Sequence, residues 1–136
     1  MSLTNEQRKI LVQREYEKAL KTLHEMRMNA KMELWTVVAN RLYYSMFHAV
    51  SALLIKDGHE VKSHKGAIMN FGLYYVTTGV FPTEYGQLLS RMETLREKAD
   101  YSCVFEENPE MMKENIPIVE KFIMDIGTEI GVPCII

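Results

Sequence analysis

At 136 residues, with 47% hydrophobic and 25% charged side chains, the chain has enough apolar material for one packed core and too much for a disordered tail. Lys+Arg 16 against Asp+Glu 18 leave a formal charge of -2. That balance excludes a broadly basic, nucleic-acid-coating surface and leaves any RNA contact to a local patch.

The opening Met1-Ser-Leu-Thr-Asn-Glu-Gln-Arg is polar and lacks a signal peptide's apolar region. No uninterrupted apolar run is long enough to span a bilayer. Cys103 and Cys134 stand far apart in no metal-binding spacing and are expected as free thiols. The end, Val132-Pro-Cys-Ile-Ile136, has its Cys third from the terminus, whereas a prenylation box needs it fourth. The expectation is a soluble, cytoplasmic, single domain over 1–136, with its core at about 5–127, no membrane attachment and no cofactor.

Taken in chain order, Thr4 with Gln7 three residues on has the form of a capping box. It predicts a first helix from Asn5 to about Met28, with Ile10, Leu11, Ala19, Leu20 and Leu23 as its apolar stripe. The Arg27-Met-Asn-Ala30 stretch reads as a turn, with Asn29 in the left-handed form that ends helices. A second helix from about Lys31 to Lys56 is apolar on nearly every side, which predicts the central, most buried position. Gly58 closes it. Ser63 caps a third helix running from His64 to Gly79. Pro82 opens a fourth with Leu88, Leu89, Met92 and Leu95 facing inward, ending near Asp100-Tyr101. Asn108-Pro109 starts a fifth that runs to about Gly127, where Pro117 bends it or delays its start. Nothing reads as a strand. The fold class is all-α, an antiparallel bundle of four to five helices.

Arg41 and His48 stand seven residues apart, close to two helical turns, so their side chains share a face with Tyr44 between them. A charged Arg in the middle of an apolar helix costs free energy unless it is paired or used. A guanidinium, a phenol and an imidazole on one line can hold a phosphate and move a proton. The plainer alternative is that all three satisfy structural hydrogen bonds. Ser63-His64-Lys65 at a helix start either forms a simple cap or favours an anion. Arg96 and Asp100, four apart, read as a surface ion pair. These groups suit metal-free phosphodiester cleavage, in which one base takes the 2′-hydroxyl proton, one acid protonates the leaving oxygen and a cation stabilises the phosphorane. One His cannot readily be both acid and base in one step. A symmetric homodimer joining two copies of Arg41 and His48 would supply the second. No His, Cys or carboxylate cluster has ligand spacing, so no metal is expected.

Asn40-Arg-Leu-Tyr-Tyr-Ser-Met-Phe-His-Ala49, Ser63-His-Lys-Gly66 and Leu88-Leu-Ser-Arg-Met-Glu-Thr-Leu-Arg-Glu-Lys-Ala-Asp-Tyr101 resemble the HEPN (higher eukaryotes and prokaryotes nucleotide-binding) family, in matching order over roughly residues 10–125. The resemblance implies a helical bundle that is usually dimeric. Many such proteins are metal-independent endoribonucleases, often toxins or defence effectors, with an Arg and a His separated by four to six residues. Arg41 and His48, with six between, fit that signature. The resemblance makes Arg41 the phosphate clamp and His48 the proton carrier. Asn40, Tyr44, His64, Lys65 and Arg96 complete the expected set as substrate contacts. Some HEPN toxins carry, two residues after the His, a Tyr that a partner nucleotidyltransferase modifies; here that position is Val50. Other members bind nucleotides or partner a minimal nucleotidyltransferase without demonstrated cleavage, which is the alternative function.

Overall fold

In the computed structural model, which describes residues 2–106 and 108–132, the chain folds into five helices with no strand among the described residues. They are α1 (Asn5–Lys31), α2 (Trp35–Lys56), α3 (His64–Phe71), α4 (Thr83–Tyr101) and α5 (Pro109–Ile130). Cys103 is exposed. Cys134, and with it the comparison with a prenylation box, lies outside the described residues.

The capping box forms as its sequence dictates. Thr4 Oγ1 accepts from Gln7 N at 3.1 Å, and Gln7 Oε1 accepts from Thr4 N at 2.9 Å. The buried stripe of α1 differs from the expected one. It is Val12, Tyr16, Ala19, Leu23 and Met26, while Ile10 and Leu11 are 46% and 39% exposed. The steps of three and four from Val12 align five side chains on one face, which Ile10 and Leu11 miss. Tyr16 is fully buried and donates to the Ile123 carbonyl at 2.7 Å. It lies over Gly127, where an added Cβ would collide with its hydroxyl. The smallest residue lets α5 approach α1 there.

The first turn also lies later than expected. Asn29 is helical and donates from its side chain to the Glu25 carbonyl at 2.8 Å. The left-handed residue is Glu33, at φ 57°. Glu33 N donates to Ala30 O and Leu34 N donates to Asn29 O, both at 3.0 Å, the bonding of a helix C-terminal cap built on a non-glycine residue. A left-handed conformation costs an ordinary residue about 1–2 kcal/mol, part of which glycine's freedom in the unfolded chain offsets. Glu33→Gly is therefore expected to raise stability by about 0.5–1 kcal/mol. Urea denaturation measures this, and an unchanged or lower midpoint would show that the Glu33 side chain offsets the strain.

α2 is the central helix, as its apolar composition predicts, and packs against α1, α3, α4 and α5. It starts at Trp35, not Lys31, because the chain must first complete the reversal at Glu33. Gly58 takes φ 83° just beyond its end. Ser63 caps α3, accepting from Gly66 N at 2.9 Å. The third helix does not run unbroken to Gly79; from Gly72 to Val76 it widens into a π-helical turn. That widening accompanies an inward Tyr75, whose hydroxyl donates to Asp57 at 2.6 Å and lies 3.2 Å from the Leu53 carbonyl.

α4 buries Tyr85, Leu88, Leu89, Met92 and Arg96. Asn108 caps α5, accepting from Met111 N at 3.1 Å, with Pro109 in the first turn. α5 continues through Pro117 to Ile130, three residues past the expected end, and stops at Gly131 with φ 79°. Cross-helix pairs set the directions. Arg41 meets Glu25 and His48 meets Glu15, so α1 and α2 are antiparallel. Arg91 meets Asn115 and Tyr85 meets Asp125, so α4 and α5 are antiparallel as well.

Candidate active site

Arg41 and His48 emerge from the middle of α2, and α1 supplies an acidic partner to each. Arg41 Nη1 donates to Glu25 Oε1 at 3.0 Å. Its Nε and Nη2 donate to Asn40 Oδ1 at 2.9 and 2.7 Å. Of the five guanidinium N–H groups, these contacts leave one on each terminal nitrogen for an incoming anion. The Arg41 and Glu25 side chains are 31% and 42% exposed. A pair that open contributes only about 0–1 kcal/mol, so a bidentate phosphate can displace Glu25 at small cost.

His48 Nδ1 lies 3.1 Å from Glu15 Oε2, with both side chains about one-quarter exposed. The His48 hydrogen bond holds the Glu15 carboxyl below its ordinary range, against the opposing effect of burial. An ionised carboxylate only accepts, so Nδ1 carries the hydrogen and Nε2 is the nitrogen left for chemistry. This is how a carboxylate fixes the orientation and tautomer of a working imidazole.

Beside the pair lies an aromatic cluster. The Phe47 ring centroid is 4.2 Å from that of His64 and 5.8 Å from that of His48. Tyr44 meets His64 edge-on at 5.5 Å, and the Arg41 guanidinium lies 5.6 Å from the Tyr44 ring. His64 Nδ1 is 2.9 Å from the Tyr43 hydroxyl. Beneath these rings is Arg96, only 6% exposed, its guanidinium 5.2 Å from Tyr43 and 5.6 Å from Tyr44. Arg96 is 3.2 Å from Glu93 and 3.9 Å from both Glu97 and Asp100. The expected surface pair with Asp100 is thus a buried cation ringed by three carboxylates. Asn40 completes the circuit by donating to Asp100 at 3.0 Å. One polar chain, Glu25–Arg41–Asn40–Asp100–Arg96–Glu93, ties α1, α2 and α4 together.

Burial, then the Arg96 charge, then His48 push the His64 imidazole below its ordinary 6.5. The native state therefore binds this proton less readily than the unfolded chain. His64 contributes stability that is fully present above pH 6.5 and is lost as pH falls through its lowered native value. Wild-type thermal midpoints should drop between pH 7 and 5 more steeply than those of His64→Gln. Parallel curves would show that His64 does not contribute to the acid limb.

Residues 12–129 match the HEPN domain, which is most of the chain. The chain belongs to the HEPN family. A UPF0332 protein of Thermotoga maritima is 33% identical over 121 residues, 88% of this chain and 89% of its own. A protein of Methanocaldococcus jannaschii named as a candidate toxin is 39% identical over 70 residues, 52% of either chain. A second protein from that organism, also named as a candidate toxin, is 30% identical over 90 residues, 66% of this chain and 61% of its own. The chain thus spans about half the length of one such relative and nearly nine-tenths of the Thermotoga one.

In this HEPN chain, Asn40, Arg41, Tyr44, His48 and His64 come together on one side of α2, and Arg96 supports them from below. Lys65 does not join them. It is exposed and borders a separate groove with Ile68, Met69, Glu93 and Glu97. Glu15, Glu25, Tyr43, Phe47 and Glu93 were not singled out by sequence reasoning. A usable signal for Glu25 lies in the hairpin: it falls eight residues before Glu33, and Arg41 eight after. That symmetry becomes visible only once the turn is placed correctly. Among the described residues, no three His, Cys, Asp or Glu side chains gather to hold a metal ion, and no helix is long and apolar enough to cross a membrane.

Proposed function

We propose that this HEPN chain is a toxin-like, metal-independent endoribonuclease. The observation that carries the reading is a partly exposed Arg41 and His48 on one helix face, each oriented by a carboxylate from α1. Arg41 grips the scissile phosphate through its two remaining terminal N–H groups and stabilises the phosphorane. His48 transfers a proton through Nε2. Asn40 and Tyr44 hold the Arg41 guanidinium in place from either side. A homodimer that faces two such sites across a groove supplies a second imidazole, the partner subunit's copy of the same residue. The relatives named as candidate toxins agree with this reading.

RNA incubated in EDTA with wild type is expected to be cut, and with His48→Ala to survive. Equal survival with both proteins at every concentration would sink the proposal. A second reading, a nucleotide-binding module that partners a minimal nucleotidyltransferase, is favoured by the net charge of -2 and by the Glu25 carboxylate beside Arg41. Expression of the chain alone separates the two. Toxicity relieved by Arg41→Ala supports the ribonuclease, whereas harmless expression with tight binding of a mononucleotide such as AMP supports the module.

A further inference from the structure

Three contacts set the register of the seam between α1 and α2, and the third lies beyond the candidate site. Glu25 meets Arg41, Glu15 meets His48, and Arg8 Nη1 donates to the Ile55 carbonyl at 2.7 Å. Arg8 stands seven residues before Glu15 on α1, and Ile55 seven residues after His48 on α2. Seven residues are close to two turns, so Arg8 shares the seam with His48, about 10 Å farther along it. Among the described residues, only one of the five Arg8 guanidinium N–H groups is engaged, and no carboxylate pairs with it. The end of α2 that holds it supplies about half a negative charge, which leaves the cation largely uncompensated.

Arg8 forms part of a groove of about 600 Å³ between the start of α1 and the loop that follows α2. Leu11 and Val61 give the groove apolar surface, and Leu11 is 39% exposed one turn from both Arg8 and Glu15. His59 lines it as well, its ring held in a parallel stack on Tyr74 at 3.9 Å. Lys62 adds a second cation, and the acid on this wall, Glu60, is paired with that lysine at 3.2 Å. The same loop leads directly into His64, whose ring packs on Phe47 beside His48, so one segment joins the groove to the candidate site. A free guanidinium, apolar surface and a fixed aromatic ring are the parts that hold one nucleotide of a single strand, phosphate on the cation and base on the ring.

We propose that this groove binds an unpaired nucleotide of the RNA substrate, with Arg8 clamping its phosphate two or three positions from the scissile bond. The proposal takes its substrate from the ribonuclease reading above and adds that this substrate is single-stranded and longer than a dinucleotide. The distance sets the count: about 10 Å is three nucleotides at a stacked rise of about 3.4 Å, and fewer in an extended strand. The base must be unpaired, because a base in a duplex cannot leave its stack for the groove. Each subunit of a homodimer carries one such groove, so the two-subunit site stands unchanged.

The test uses a 2′-O-methyl oligonucleotide with one free 2′-hydroxyl, cleavable at a single bond, and its fully methylated counterpart, which binds without being cut. Arg8→Gln should weaken binding of the uncut strand about tenfold and flatten the slope of log affinity against log salt by about 0.7. On the cleavable strand it should raise KM and leave kcat unchanged, while a dinucleotide is cut at the wild-type rate. Arg8→Lys should keep most of the salt slope. A neutral methylphosphonate two or three positions from the scissile bond should cost wild type the same tenfold and cost Arg8→Gln nothing. A residue that only holds the end of α2 would not single out one phosphate. The proposal is overturned if no methylphosphonate position separates wild type from Arg8→Gln, or if Arg8→Gln slows the dinucleotide as much as the longer strand. Arg8-dependent binding of AMP as tight as that of the oligonucleotide also overturns it, in favour of a free-nucleotide site. Arg8-dependent binding of the uncut strand without any cleavage removes the ribonuclease reading and leaves the groove. Cleavage that ignores Arg8 does the reverse.

Discussion

Loss of the Arg41 guanidinium is expected to lower metal-independent RNA cleavage by about 10²–10³-fold, the effect of removing one preorganised donor set from a developing oxyanion. Arg41→Lys should recover little of it. A lysine ammonium is a point charge and cannot accept guidance from Asn40 Oδ1 through two donors while offering two more to phosphate. Neither change should unfold the protein, since the Arg41 side chain is 31% exposed and its main ionic partner is 42% exposed. Cleavage rates and circular dichroism of wild type, Arg41→Ala and Arg41→Lys check this together. A lysine variant that cleaves as wild type would mean that charge alone matters and that the fork geometry set up by Asn40 does not.

Arg96 is expected to behave in the opposite way, with a large effect on folding. It is 6% exposed, lies between two tyrosine rings and three carboxylates, and leaves its Nε without a hydrogen-bond partner. Arg96→Ala removes the cation and leaves Glu93 half-buried, where burial, then the hydrogen bond and charge of Glu97, already push its carboxyl up. Breaking a buried pair by deleting one partner costs about 3–5 kcal/mol. The lower end applies here because the Glu97 side chain is 56% exposed and the Asp100 side chain 24% exposed, so both can turn to water. Arg96→Met with Glu93→Gln should recover part of the loss by removing both charges while keeping volume. Urea denaturation decides it. A loss below about 1 kcal/mol would mean that Arg96 contributes no more than an ordinary surface pair.

The helices were legible because their signals are local. Thr4, Ser63 and Asn108 cap as their side chains allow, and Gly58 takes the left-handed backbone that closes a helix. The greasiness of α2 likewise announced its central place. What the sequence hid depends on distant partners or on unfavourable local choices. Glu33 is a poor left-handed residue, so the turn was expected at Asn29 instead. The π-helical turn accompanies Tyr75 reaching back to Asp57, a contact eighteen residues away that no local period encodes. Arg96 and Asp100 have the spacing of a surface pair, and only the tyrosines of α2 covering them make the cation buried. The spacing of Arg41 and His48 made the candidate site visible, while their partners Glu25 and Glu15 needed the register between α1 and α2.

Asn40 holds a position that only an amide can fill. Its oxygen receives two bonds from the Arg41 guanidinium, and its nitrogen gives one to Asp100. An aspartate there would bring a second carboxylate against Asp100, and a lysine would bring a second cation against Arg41. Positions 40, 41 and 100 therefore behave as one compound letter of the sequence. A change at any of them rewrites what chemistry the other two permit, so a variant of this chain is better designed three residues at a time.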